Sequence, residues 1–329
     1  MVLTHQATAR WFVSLVLILG ACRGGGDTQE TGTEKAASPA PEIPTLPQMG
    51  PLGDLDPDTD GGAWSAHAGF EGREEFKVSL LQTARTQLPD RAPMVHTMRQ
   101  AFTLVREVIS REDGITRLRL QIKDATIVPM DPNGKPIPPP PQTAAIGPAL
   151  ERVEVHLAID AQGRVQELEV TKASTLPRGM EEMFHQLVRD LQVALPGGAA
   201  EPGQTWDDAG ELPVEREKSR NLVRWRLKGT YQGMVDRDGV RCAVVEILGD
   251  LEEEGRVDRK GILGRVEGLG RVRKVALLEA ETGRLVEFRM VSALARRVAY
   301  GKKTTGEPRV EELTMELSLR AGTAGEENQ

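Results

Sequence analysis

The sequence predicts a mainly β (α+β) fold: a twisted antiparallel sheet or half-barrel with one amphipathic helix packed on its concave face. Three observations carry this expectation. Apolar and polar residues alternate with period two over most of the chain after Phe70. Only one stretch follows helical spacing. Glycine-bearing turns recur at the ends of the alternating runs.

The elements follow in order. Phe76, Val78 and Leu80 alternate with Lys77 and Ser79, and Leu118, Leu120 and Ile122 alternate with Arg119 and Gln121. Val153, Val155, Leu157 and Ile159 form a third such run; Val223, Trp225, Leu227, Gly229 and Tyr231 share one face of a fourth. Leu313, Met315, Leu317 and Leu319 close the series. Strands apolar on one face and charged on the other belong to antiparallel sheets with one wet side. Val240–Leu248 is apolar on both faces, which predicts a strand covered on both sides. The helix is expected over 177–195: Thr175 caps it, Pro177 suits its first turn, and Met180, Met183, Phe184, Leu187, Val188, Leu191 and Leu195 form its apolar stripe. Pro196-Gly197-Gly198 stops it. The proline-rich stretch 129–148 is expected as a stiff surface loop, with polyproline recognition as the alternative.

The front of the chain has a different character. Arg10 precedes the apolar run Trp11–Leu19, which as a helix would rise only about 14 Å against a hydrocarbon core of roughly 30 Å. It fits the middle of a secretory signal rather than a membrane span. Leu19-Gly20-Ala21-Cys22 resembles the lipobox of bacterial lipoproteins. That resemblance implies a signal peptide over 1–21, cleavage before Cys22, and fatty chains on Cys22 that anchor the protein in the cell envelope. Arg23, in place of the aspartate that retains enterobacterial lipoproteins at the inner membrane, implies the outer membrane. The alternative is an ordinary cleaved signal in which Cys22 is incidental.

Residues 22–66 read as the lipidated cysteine and a disordered tether, since from Arg23 to about Gly62 there is no aromatic residue and little to bury. Asp56, Asp58, Asp60 and Gly61 match the first half of an EF-hand calcium loop, but His67 stands where the bidentate glutamate belongs, so an acidic linker is the better reading. The body then divides into a β-rich first half, 67–200, a second half, 201–320, and a disordered tail, 321–329. Arg111–Ile115 is echoed by Asp236–Val240, and Asp160–Glu167 by Glu279–Glu287, in the same order, which suggests a duplication; convergent turn chemistry is the alternative. Pro202-Gly203-Gln204-Thr205-Trp206 with Glu279–Leu285 resembles a family of uncharacterised secreted bacterial β-proteins, and the architecture is similar to the half-barrels of lipoprotein carriers. Neither likeness implies an activity.

Composition excludes much chemistry. A net charge of −7 with 4 % aromatic residues opposes nucleic-acid binding. Two cysteines allow no disulfide framework and no four-cysteine zinc site. No nucleophile elbow, phosphate loop, dinucleotide glycine motif or zinc-protease helix occurs. Glu182 and His185 have di-iron spacing without the further ligands such a site needs. Cys242, in an apolar run, reads as a buried structural thiol, and His156 as solvated. Arg224, Arg226 and Lys228 form a basic stripe that either pairs with neighbouring carboxylates or recognises an anion. We therefore expect no enzyme, no cofactor and no metal. The expected role is a binding or carrier module for an apolar ligand or envelope protein, with Met180, Met183, Phe184 and Leu187 as contact residues; methionine suits varied apolar shapes. The alternative is a structural or protein-interaction lipoprotein whose core is filled.

Overall fold

The structure is a computed structural model and describes residues 42–49, 55–70, 72–88, 91–171, 181–216, 219–259, 262–300 and 308–322. The signal peptide, Cys22, Thr175, Pro177 and Met180 lie outside these residues. Thirteen strands are described: β1 (Trp64–Ala66), β2 (Arg73–Gln87), β3 (Met94–Glu112), β4 (Ile115–Met130), β5 (Glu154–Asp160), β6 (Val165–Thr171), β7 (Gly198–Ala200), β8 (Thr205–Arg216), β9 (Ser219–Arg237), β10 (Val240–Arg259), β11 (Ile262–Glu279), β12 (Leu285–Tyr300) and β13 (Arg309–Ala321). Three helices accompany them: α1 (Pro141–Ala144), α2 (Ile146–Leu150) and α3 (Glu181–Leu191).

Eleven strands form one antiparallel sheet in the order β6-β5-β4-β3-β2-β13-β12-β11-β10-β9-β8, while β1 pairs with β7. The sheet is open, with β6 and β8 as its edges. Charge blunts both edges: Glu167 and Glu169 on β6, Asp207, Asp208 and Glu211 with Pro213 on β8. The expected mainly β sheet with a packed helix is what the structure shows. Its two halves nevertheless share one sheet, because the C-terminal β13 returns to the centre and pairs with β2, Leu317 opposite Leu80. They also share one core, in which Phe76, Leu118 and Leu157 join Tyr231, Phe288 and Leu319.

The recurrent glycine turns are hairpins. Asp113-Gly114 between β3 and β4 and Asp238-Gly239 between β9 and β10 both have two successive positive φ angles, 52° and 77° in the first and 51° and 82° in the second. Such two-residue loops match the twist of their flanking strands. The strands joined by the echoed turns lie in the same order, β6-β5-β4-β3 and β12-β11-β10-β9.

Period-two alternation becomes two faces. The inner face, against which α3 packs, carries the main core. On the outer face Cys242 and Val244 meet Val275 and Leu277 under Met49 and Leu55. β10 is thus covered on both sides around Cys242–Val244, as its apolar faces predict, whereas Leu248 at the end of the predicted run is 49 % exposed. Cys242 is fully buried, and burial pushes its thiol up to about 11. In the basic stripe Arg224 meets Glu254 at 2.8 Å, and Asp250 and Asp207 sit across from Arg226 and Lys228 in the register.

Three expectations need correction. Contacts with the sheet begin well before residue 66, where the tether was expected to end: Asp58 and Met234 exchange backbone hydrogen bonds of 2.7 and 3.1 Å, Arg241 donates to Asp58 at 3.0 Å, and Trp64 is buried in β1. Asp58 is therefore engaged with the sheet rather than solvated. The helix stops at Leu191, not 195, since the backbone from Gln192 onward is drawn to the sheet, with Leu195 N–H donating to the Gln162 carbonyl at 2.8 Å. The proline-rich loop contains α1 and α2, because Ile146 and Leu150, one helical turn apart, are both buried in the core.

Candidate functional site: two recesses beside the helix

Helix α3 covers only part of the inner face. Phe184 and Val188 are buried among the sheet's apolar side chains, and Leu187 packs half-buried beside them. Of the residues the sequence offers as ligand contacts, Met180 is outside the described residues and the Met183 side chain is not described. Phe184 and Leu187 belong to the packed interface, and neither lines a recess. Recess walls come instead from the flanks of α3, because residues one or two positions away on a 3.6-residue turn point sideways along the sheet.

On one flank lies an apolar recess of about 100 Å³, lined by Val188 and Leu191 of α3, Leu118, Leu157 and Leu285 of the sheet, and Val193. One charged residue, Arg106, enters its wall; the guanidinium lies 4.5 Å from the Phe70 ring and 5.0 Å from the Phe76 ring and pairs with Glu74 at 2.7 Å. Burial lowers the pKa of Arg106, and Glu74 opposes that shift. Residues 68–70 close one side of the recess, and the Gly69 N–H donates to the Gly283 carbonyl at 3.0 Å. A Cβ at Gly69 would lie 1.7 Å from the Thr282 carbonyl oxygen. Gly69→Ala must therefore push this closure off the β11–β12 turn. We expect a loss of about 1–3 kcal/mol, read as a lowered midpoint in thermal unfolding; an unchanged midpoint would show that the closure is not fastened there.

On the other flank lies a mixed recess of about 90 Å³, with Trp225, Leu251 and Met315 as apolar walls and Asp190, Asp208 and Lys274 as polar ones. Lys274 is the tie between sheet and helix. Its Nζ donates to the carbonyls of Arg189 and Gln192, both at 3.1 Å, at the negative end of the α3 dipole. Burial lowers its pKa to about 8, against the pull of Asp190. Burial raises the pKa of Asp208, against Lys274 and Arg164. Asp190 accepts from Gln186 at 2.8 Å and Arg189 at 3.0 Å, and the Arg189 guanidinium lies 5.8 Å from the Trp225 ring.

Both loose sequence motifs turn out to make fastenings between distant segments. In Pro202–Trp206 a tight turn with Gly203 at φ 82° sets Trp206 on β8, where Nε1 donates to the Ala194 carbonyl at 2.9 Å. Trp206 lies over Gly229 and Trp225 over Gly210, each its cross-strand partner; a Cβ at either glycine would meet the ring within 2.4 Å. The second motif, Glu279–Leu285, is the turn that holds residues 67–70. Sequence reading missed Lys274, although one signal was present: it interrupts the apolar series Val272, Ala276, Leu278 on one strand face.

Further along the inner face, beyond α3, charge replaces apolar packing. Arg296 donates from Nε to Glu253 at 2.6 Å and pairs with it through a second nitrogen. Glu253 also accepts from Asn221 at 2.6 Å, and Glu311 lies 3.7 Å from Arg296. Burial works against the Arg296 charge, but the two carboxylates outweigh it and raise its pKa. Among the described residues no group of three or more His, Cys, Asp or Glu is placed to hold a metal ion.

No family model matches the chain, and no curated protein matches it. Among solved structures it is similar to lipovitellin, in a structure describing lipid–protein interactions, at 13 % identity and a TM-score of 0.44, over 79 % of this chain and 26 % of that one. The chain thus spans about a quarter of lipovitellin. It is also similar to the hypothetical lipoprotein YmcC of Escherichia coli, at 12 % identity and a TM-score of 0.20, over 71 % of this chain and 85 % of that one. A third match is neisserial surface protein A, at 7 % identity and a TM-score of 0.19, over 76 % and 99 %.

Proposed function

We propose that the protein is a non-catalytic binding or carrier module, tethered to the cell envelope through lipid on Cys22, whose inner face takes an apolar ligand or partner segment beside α3. The observation that supports it is the incomplete cover of that face. An eleven-residue helix lies against an eleven-stranded sheet and leaves an apolar recess on one flank and a mixed one on the other. Recesses of about 90 and 100 Å³ are smaller than the roughly 300–1,000 Å³ of ordinary ligand sites, so a chain-like ligand enters by displacing the helix. The fastenings at Lys274 and Trp206 hold its C-terminal end and the segment after it against the sheet. The outer membrane is the favoured location, from Arg23 after the lipidated cysteine.

One experiment reads both parts. Native mass spectrometry of the full chain, extracted from bacterial envelopes in detergent, should show a first residue Cys22 carrying fatty chains and a co-purified lipid. N-phenyl-1-naphthylamine should then bind the delipidated protein, and Leu191→Trp, which fills the apolar recess, should weaken that binding at least fivefold. An unmodified Cys22 would remove the anchor. Absence of both lipid and dye binding would remove the carrier role and leave the filled-core interaction protein.

A further inference from the structure

The two recesses beside α3 adjoin at one residue. Gln192, directly after the helix, lines both of them. Its carbonyl is also one of the two that accept from the Lys274 Nζ, the other being that of Arg189. Lys274, 5 % exposed, therefore sits where the apolar recess meets the mixed one. Among the described residues its hydrogen bonds go to these two neutral carbonyls, and it forms no ion pair. Arg106, the charged residue of the apolar recess, is placed differently: it already holds Glu74 through Nε at 2.9 Å and a second nitrogen at 2.7 Å. The charged groups that act on Lys274 are Asp190, Arg189 and Asp208. Asp190 and Arg189 pair with each other on α3 at 3.0 Å, so they leave together when the end of the helix lifts. Asp208 stays behind on β8, where Arg164 acts on it as well. The sheet and its turns are then left with one carboxylate to two cations.

We propose that the inner face takes a single-chain amphiphile with an anionic head, its hydrocarbon chain in the apolar recess and its head oxygens on Lys274 in place of the Arg189 and Gln192 carbonyls. This deepens the binding role proposed above and rests on it. Lifting the end of α3 takes both carbonyls away from a buried ammonium. An occupant without an acceptor would leave that charge unpaired, which folded proteins avoid. Two anionic oxygens restore both hydrogen bonds in the stronger, charge-assisted form. A carboxylate and a phosphate ester share this chemistry. A cationic head would be repelled by Lys274 itself. A recess of about 100 Å³ suits a hydrocarbon chain rather than a partner helix, whose diameter with side chains is about 10–12 Å.

The test uses the chain from residue 22 with Cys22→Ser, which has no fatty chains of its own and contains every described residue. Bound N-phenyl-1-naphthylamine is displaced with dodecanoate, dodecyl phosphate, dodecanol or dodecylamine. At least one of the two anions should act at about tenfold lower concentration than the alcohol, the usual worth of a hydrogen bond to a charged group. Comparing the two anions assigns the head to carboxylate or phosphate. Lys274→Met should bring anion and alcohol within about twofold of each other, while Lys274→Arg keeps the preference. Asp208→Asn, which removes the carboxylate that stays behind, should widen it. Equal action of anion and alcohol on the parent, tighter binding of the amine, dye that none of the four displaces, or a preference that survives Lys274→Met would overturn this inference while leaving an apolar-ligand site standing. Failure of the dye and every amphiphile to bind would remove the binding role and this inference with it. Where Lys274→Met does not fold, Asp208→Asn decides alone, and a preference that narrows or stays unchanged overturns the proposal.

Discussion

Replacing Arg296 with methionine is expected to cost about 3–5 kcal/mol of folding stability, the usual result of stripping one partner from a buried ion pair. The side chains of Arg296 and Glu253 are 3 % and 2 % exposed, so neither water nor salt screens what remains. In the variant, Glu253 keeps only Asn221, and Glu311 loses one of its cations. The second half of the prediction separates burial from pairing. Arg296→Met combined with Glu253→Leu should recover most of the loss, because an apolar replacement of both partners removes the desolvation cost along with the attraction. Urea unfolding of the single and double variants measures both terms. A single variant within about 1 kcal/mol of the parent would mean that water reaches the pair.

The second large effect is a pH dependence centred on Lys274. Its folded-state pKa is depressed from 10.5 to about 8, so between those values the unfolded chain still holds a proton that the folded chain has released. Stability therefore rises with pH across that window, by about 3 kcal/mol in total, and below about pH 8 the folded protein bears the cost of a buried cation. Cys242 acts in the opposite sense. Burial raises its thiol from 9.0 to about 11, so the unfolded chain ionises first and stability falls between those values. The parent's profile mixes the two. The difference between the parent and Lys274→Met isolates the lysine, and that difference should move in the parent's favour by about 3 kcal/mol from pH 7 to pH 10.5. A difference that stays flat would place Lys274 in contact with water and undo its role as the tie at the end of α3.

Particular residues show why some of this was legible in the sequence. Phe76, Val78 and Leu80 alternate because a strand sends successive side chains to opposite faces, and that rule needs no knowledge of the neighbours. Asp113-Gly114 and Asp238-Gly239 announce hairpins because few residues other than glycine, asparagine and aspartate tolerate positive φ. Glu253 and Arg296 announce nothing. Each sits in a charged run, Glu252–Glu254 and Arg296-Arg297, and burial selects one member by strand phase and by a partner 43 residues away. Lys274 was hidden for the same reason: its value lies in two carbonyls more than 80 residues distant. The ligand-contact residues assigned to α3 shifted because a stripe identifies the face that packs, whereas a recess forms at its margins.

The sequence by itself determined the local preferences: one-sided strands, an amphipathic helix, glycine turns, a β10 apolar on both faces, and the lipobox-like front that founds the proposed anchor. These depend on the chemistry of residues a few positions apart. Tertiary structure alone decided that β13 closes the two halves into a single sheet, that Met49 and Leu55 cover part of the outer face of β10, and that Lys274 and Trp206 fasten the C-terminal end of the helix and the segment after it. Those outcomes depend on which distant segments share a register, and only the folded sheet sets that.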